Sequence, residues 1–268
     1  MVYPESKSLA EFYPMVGGHG AHSYAKNSSQ QRVVVDATKE MVKEAMADKL
    51  DFEVPGFENS TAFQIADLGC STGPSTFIAM QNIIEAVEQK HQNPSALEFQ
   101  VFFNDRFDND FNTLFKSLPP SRKYFATAVP GSFHSRLFPN STLHFVYSSY
   151  ALHWLSKVPE EIQDSEPPAW KKDSIQCTGF VKEVAEVYAA QFKNDMECFL
   201  NARAEELVEG GLMVIILSAL PDGIPMSRTT KGKTYGLSGS CLIDMAKTNL
   251  AVFEGLIKEH FGSKAVDQ

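Results

Sequence analysis

Two short stretches carry residue types that could do chemistry. The first is Asp67-Leu-Gly-Cys-Ser-Thr-Gly-Pro74, where Gly69 and Gly73 stand four apart directly after an apolar run. Glycines at such a turn let the backbone approach a ligand closely at a helix N-terminus. The second is Asn104-Asp105, at the end of another apolar run, Glu98–Phe103. A carboxylate at the end of a second strand is placed to take the two hydroxyls of a ribose. Neither feature is a GxGxxG fingerprint or a P-loop: Ser71 and Thr72 interrupt the first pattern, and no Lys-Ser/Thr pair follows. The pair suits an adenosine-bearing cofactor, NAD or S-adenosylmethionine alike, and leaves open that Asp105 merely caps the next helix.

Other motifs fail on spacing. Asp108-Asn-Asp-Phe-Asn begins like a calcium loop, but Thr113 replaces the required glycine and Pro119 the bidentate glutamate. No His/Cys cluster has zinc spacing, so no metal is expected. His144 alternates within a strand, which makes it structural.

The elements that must position these residues follow from pattern. Gln31–Lys49 has the apolar stripe of a helix, and Ala62–Leu68 reads as a buried strand ending at the glycine turn. Pro74 opens a helix to Lys90, since its missing N–H would be unpaired there anyway. Strands at Glu98–Phe103, Tyr124–Val129, Thr142–Tyr147 and Leu212–Ser218 alternate with helices at Asp110–Ser117 and Gly179–Glu209 and a short one through Trp154. Val158–Asp173 and Ala219–Gly236 read as loops, and Ser238–Phe261 as largely helical. Such alternation predicts an α/β fold with a mostly parallel sheet covered on both faces. Ligands of such sheets sit beyond the carboxyl ends of the strands, where Asp67–Gly73, Asn104–Asp110, Pro130–Phe133 and Ser148–Trp154 would converge.

The 268 residues carry 33 Asp+Glu against 24 Lys+Arg, a formal charge of −9, which disfavours phosphate backbones and argues against a nucleic-acid partner. No run approaches the ~20 apolar residues of a membrane span, and Met1–Pro14 lacks a signal pattern. Cys70, Cys177, Cys198 and Cys241 are scattered without a CxxC, as in a reduced, cytoplasmic protein.

Longer motifs add a resemblance. MVGGHGAHSYAKNSSQQR (15–32), IADLGCSTGP (65–74), FFNDRFDNDFNTLF (102–115), VPGSFHSRLFPNSTLHFVYSSYALHWLS (129–156) and EGGLMVIILS (209–218) occur in the order found in the plant salicylate/benzoate/theobromine (SABATH) methyltransferases. The resemblance implies a Rossmann-like class I methyltransferase sheet with helices on both faces and an incomplete helical cap. It implies S-adenosylmethionine as cofactor and a small carboxylic acid as substrate. It divides one domain, 1–268, into a core (about 31–156 and 177–218), a partial cap (about 157–176 and 219–247) and a C-terminal remnant (248–268).

By the same resemblance Tyr24, Ser28, Asp67, Gly69, Cys70, Ser75, Asp105, Arg106, Ser132 and Phe133 lie on the cofactor side. Gln31 and Trp154 hold the substrate carboxylate, Tyr150 and His153 line its pocket, and Tyr235 stands at an aromatic wall. Ser75 and Arg106 depart from the family's usual residues, and Lys171 replaces an Asn of a magnesium site present in some members. After Lys247 the chain departs more widely, as a shortened form would. Alternatives are therefore a non-catalytic paralogue, which binds cofactor or pairs with itself or a full-length subunit through the edge of the last strand, and an N-methyltransferase on a xanthine-like ring. The chemistry is consistent with the residues: a carboxylate with a pKa near ~4 is already ionised at neutral pH, so methyl transfer to it needs positioning rather than a general base.

Overall fold

The computed structural model describes residues 15–57, 62–91, 97–163, 182–220 and 222–248. The expected loop end at Asp173, Lys171, and everything after Thr248 lie outside the described residues.

Ala62–Leu68 forms β1, bounded by the glycine turn on one side, and Pro74–Lys90 forms α3 with Pro74 in its first turn and Gly73 as its extended N-cap. Before them, α1 (Tyr24–Asn27) is a single turn, and α2 (Ser29–Lys49) follows it after Ser28. Then come β2 (Glu98–Asp105), α4 (Phe111–Lys116), β3 (Phe125–Pro130) and β4 (Leu143–Ser149). Asp110 caps α4 through its carboxylate, which accepts from the Thr113 N–H. Short α5 (Glu160–Gln163) and long α6 (Lys182–Glu206) lead to β5 (Leu207–Ile216), a 3₁₀ turn at Met226–Arg228 and α7 (Thr230–Thr248).

All four strand pairings are parallel, in the order β3-β2-β1-β4-β5. The chain winds outward from β1 through β2 to β3, then returns to the other side of β1 for β4 and β5. The order thus reverses between β1 and β4, the point at which ligands of such sheets bind, beyond the carboxyl ends of the strands. Side-chain alternation along β1 feeds two cores. Phe63 and Ile65 pack with Met80, Ile83, Ile84, Val87 and Phe103 on the face of α2 and α3, while Ala66 and Leu68 pack with Val146, Leu152 and Phe199 on the face of α6. Near-continuous burial of β1 and β4 is what a sheet covered on both faces requires.

Two compact units divide the described chain. Among the described residues, one contains the sheet, with those up to 156 and 194–218; the other contains 157–163, 182–193 and those from 219 to 248, with α5 and α7.

Four expectations need correcting. Glu160–Gln163, inside the stretch read as loop from Val158, form the helical turn α5. Residues 151–154 form a turn, closed by the Trp154 N–H donating to Ala151 O at 3.0 Å, and not a short helix. β5 begins at Leu207 rather than Leu212, because Gly210, at φ +77°, accommodates the irregularity that shifts its register against β4. Helix α7 begins at Thr230, inside the stretch read as loop; its first turn is held by the Thr229 hydroxyl, which accepts from Gly232 N at 3.0 Å.

Candidate active site

The turn after β1 folds back over the end of β2. The N–H groups of Gly69 and Cys70 both donate to Asn104 O, at 2.9 and 3.0 Å. Gly69 sits at φ +86°, and a Cβ there would collide with the Cβ of Ala151, so both its conformation and its space require glycine. Ser71 is also left-handed, at φ +54°, without that freedom. A Cβ at Gly73 would come within 2.6 Å of the Tyr24 ring and 3.4 Å of Ser28 Oγ. The α1 segment and Ser28 therefore pack directly on the turn, and the Tyr24 phenol comes within the field of Asp67 and Cys70.

Asp105 ends β2 with both oxygens fixed by backbone. Oδ2 accepts from Ser71 N at 2.7 Å and Oδ1 from Arg106 N at 2.8 Å. Those bonds favour the ionised form, but burial outweighs them and holds the carboxyl above its ordinary range. Asn109 stiffens the arrangement, its Nδ2 donating to Ser71 O at 3.1 Å. Asp67 is buried at the end of β1, where the Thr76 hydroxyl from α3 donates to Oδ2. Desolvation, helped by the Asp105 charge and opposed by Thr76, raises its pKa to about 7. Burial, then Asp67, Asp105 and Cys70, push the Tyr24 phenol up to about 12, and burial raises the Cys70 thiol.

Three buried oxygens here have no hydrogen-bond partner: Ser71 Oγ, Thr72 Oγ1 and Ser75 Oγ; Gln31 Oε1 on α2 is likewise buried and unpartnered. Buried polar atoms are nearly always paired, so this cluster marks a place for a polar ligand. Two glycines whose Cβ positions are occupied, two carboxylates and unpaired hydroxyls together suit a hydroxyl-bearing ligand that also carries positive charge.

Of the remaining predicted residues, Ser132, Phe133, Tyr150, His153 and Trp154 lie on the loops after β3 and β4, Arg106 directly after β2 and Tyr235 in α7. Phe133 brings its ring within 3.8 Å of where a Cβ on Gly69 would stand, while Ser132 is exposed. Tyr150 leaves β4 at φ +55°, its N–H donating to Ile216 O at 2.9 Å. Its ring meets His153 edge-on at 6.3 Å, and His153 meets Trp154 at 5.6 Å, forming a short aromatic row. Trp154 is 47% exposed. The Arg106 guanidinium pairs with Asp108, with Nε 3.1 Å from Oδ1. Tyr235 lies in α7, in the other unit, under the Lys231 ammonium at 5.9 Å.

Sequence reading missed Ser71, Thr76 and Asn109, which hold the two carboxylates in place. No local pattern marks them, since each matters through a contact made in the folded chain. His144 is buried in β4 as expected, accepting from Gln64 N at 3.0 Å and stacked on Phe63; burial pulls its pKa to about 4.

A doubly wound parallel sheet with a glycine turn after β1 and an acidic residue ending β2 defines the α/β proteins that bind nucleoside cofactors at the switch point. Residues 10–250 match the family described as SAM dependent carboxyl methyltransferase, and the chain belongs to that family. It is 50% identical over 259 residues to loganic acid O-methyltransferase of Catharanthus roseus, covering 96% of this chain and 68% of the relative. It is 48% identical over 245 residues to farnesoic acid carboxyl-O-methyltransferase of Arabidopsis thaliana, covering 90% of this chain and 69% of that one. The solved structure of a loganic acid methyltransferase with SAH superposes at a TM-score of 0.84 with 51% identity, over 88% of this chain and 68% of that one. The fold class is that of a methyltransferase, the cofactor is S-adenosylmethionine, and neither the non-catalytic nor the xanthine reading is favoured.

Proposed function

We propose that this chain methylates the carboxylate of a small plant acid, with the crevice at the carboxyl ends of β1 and β2 as the cofactor site. The observation that carries the reading is Asp105, a half-buried carboxylate aligned by two backbone N–H groups beside the strand-order reversal. S-adenosylmethionine supplies an electrophilic methyl group when bound. Asp105 accepts from the ribose hydroxyls. Asp67, Gly69, Cys70 and Ser75 line the methionine portion together with Tyr24 and Ser28, and Ser132 and Phe133 border the adenine. Arg106 borders the same site, its charge balanced by Asp108.

On the acid side, Gln31 and Trp154 donate N–H groups to the substrate carboxylate. Neutral donors suit this task because they orient the anion without quenching its nucleophilicity. Tyr150 and His153 form the wall beside them, and His153 has no proton to remove from an acid already ionised at neutral pH. The named acids of the relatives, loganic and farnesoic, are both carboxylic acids and give the starting panel.

No described helix is long and apolar enough to cross a membrane. Cys70, Cys198 and Cys241 are free thiols, which supports a cytoplasmic setting. The experiment is transfer of labelled methyl to loganic acid, farnesoic acid and benzoates, alongside calorimetry with S-adenosylhomocysteine and NADH. Labelled methyl ester is the expected product. Binding of NADH without binding of S-adenosylhomocysteine would overturn the reading.

A further inference from the structure

The loop from Gly131 to Phe138 has no regular secondary structure, yet it carries Ser132 and Phe133. At its start, Asn104 Nδ2 donates to Gly131 O at 3.0 Å. Beyond that point its backbone is held chiefly by one pair of side chains from the last turn of α6. Arg203 Nη1 donates to Phe133 O at 2.9 Å and Nη2 to Ser135 O at 3.0 Å. Glu206 Oε1 accepts from Leu137 N at 2.5 Å and from Phe138 N at 3.0 Å. The two side chains face each other at 2.8 Å, Nε to Oε2, and both are 0% exposed.

Taking two charges out of water is costly, and an apolar pair of similar volume is often no less stable. What an apolar pair cannot do is hold two carbonyls and two N–H groups of an irregular segment in one arrangement. Packing points the same way. The Phe199 ring, one turn earlier on α6, meets Phe133 edge-on at 6.4 Å, and the Arg203 guanidinium lies 5.1 Å over Phe199. Phe133 is thus gripped by its carbonyl and by its ring from the same face of one helix.

We propose that Arg203 and Glu206 are positioning residues for the cofactor: as a buried clamp they preform the loop that presents Phe133 to the adenine. The inference rests on the assignment of Phe133 to the adenine side. Without the clamp, the four backbone groups regain partners only by shifting the loop toward water. The loss then appears in cofactor affinity rather than in folding.

The test replaces both charges together, R203M/E206M, and measures the Kd for S-adenosylhomocysteine in the full chain, with and without Phe133→Ala. The expected result is at least about fivefold weaker binding in the double variant, because a misplaced wall costs affinity steeply. In the Phe133→Ala background the same replacement changes Kd by less than about twofold, since the clamp acts through that ring. A purely structural contribution would weaken binding equally in both backgrounds, and that result overturns the proposal, as does an unchanged Kd. Should R203M/E206M fail to fold, Arg203→Lys keeps the charge and loses the fork, with the same two outcomes. Hydrogen exchange on the unaltered chain gives a second readout. The amides of Leu137 and Phe138 are expected to exchange as slowly as those of β3 before any ligand is added, and exchange as fast as exposed amides contradicts a preformed loop. If the unaltered chain does not bind S-adenosylhomocysteine, the cofactor-site reading itself fails. If it binds and the clamp makes no difference, only the positioning role falls.

Discussion

The backbone N–H of Ser71 donates to Asp105 Oδ2 at 2.7 Å, joining the turn after β1 to the carboxylate that ends β2. Ser71 reaches it from a left-handed conformation, φ +54°, and Asn109 holds the Ser71 carbonyl from the other side. The strain at one residue thus aligns the acidic group to which we assign the ribose.

Replacing that group tests the assignment. Asp105→Ala is expected to weaken S-adenosylhomocysteine binding by at least ~1.5 kcal/mol, because charge-assisted hydrogen bonds to two hydroxyls are lost. Calorimetry measures it, and an unchanged dissociation constant contradicts the role given to Asp105.

Asp67 makes stability depend on pH. Its pKa rises from 3.8 unfolded to about 7 folded, so its contribution is fully present below pH 3.8 and is lost as pH rises through about 7. Asp67→Asn, which keeps an acceptor for Thr76, is expected to gain on the unaltered chain between pH 4 and pH 8. The gain is on the order of a few kcal/mol. Thermal or urea melts at both pH values check it, and a difference that does not change with pH counts against a buried, hard-to-ionise carboxyl. Comparing the two chains at each pH cancels His144, whose lowered pKa works in the opposite sense.

Gly69→Ala meets both a φ of +86° and the Ala151 methyl. It is expected to destabilise the chain by more than about 1 kcal/mol. It should also displace the Cys70 N–H from Asn104 O, with loss of cofactor affinity. Melting midpoint and Kd read the two effects, and a neutral substitution would show that the turn is looser than described.

Trp154→Phe keeps an aromatic ring and removes the indole N–H. A hydrogen bond to a charged group contributes about 1.5–3 kcal/mol, so KM for the acid is expected to rise roughly tenfold or more. KM for S-adenosylmethionine stays near its original value. A rise confined to the cofactor's KM would move Trp154 to the other side of the site.

The sheet was legible where apolar runs met strong punctuation. The end of Ala62–Leu68 and the start of Pro74–Lys90 could be placed to the residue because Gly69, Gly73 and Pro74 leave little freedom between them. Weak punctuation misled at α7, where Thr230 to Gly236, with its two Thr and two Gly, has low helix propensity and reads as loop. Gly210 and Gly211 likewise stood between the expected helix, to Glu209, and the expected strand, from Leu212, although they lie within β5. Asp67 and Asp105 stood out at strand ends, but their partners did not: Thr76 meets Asp67 through the phase of α3, and Asn109 meets Ser71 across a turn. Arg203 and Glu206 sit three apart in a charged helix, a pattern usually solvated, and are buried only because the loop after β3 folds over them.

A crystal of the chain grown with S-adenosylhomocysteine tests the central claim most directly. The account predicts the ribose hydroxyls on the Asp105 carboxylate, the adenine against Phe133 and the homocysteine portion along Asp67 and Gly69. Ligand absent from the ends of β1 and β2 at saturating concentration, or Asp105 turned away from the sugar, would contradict it.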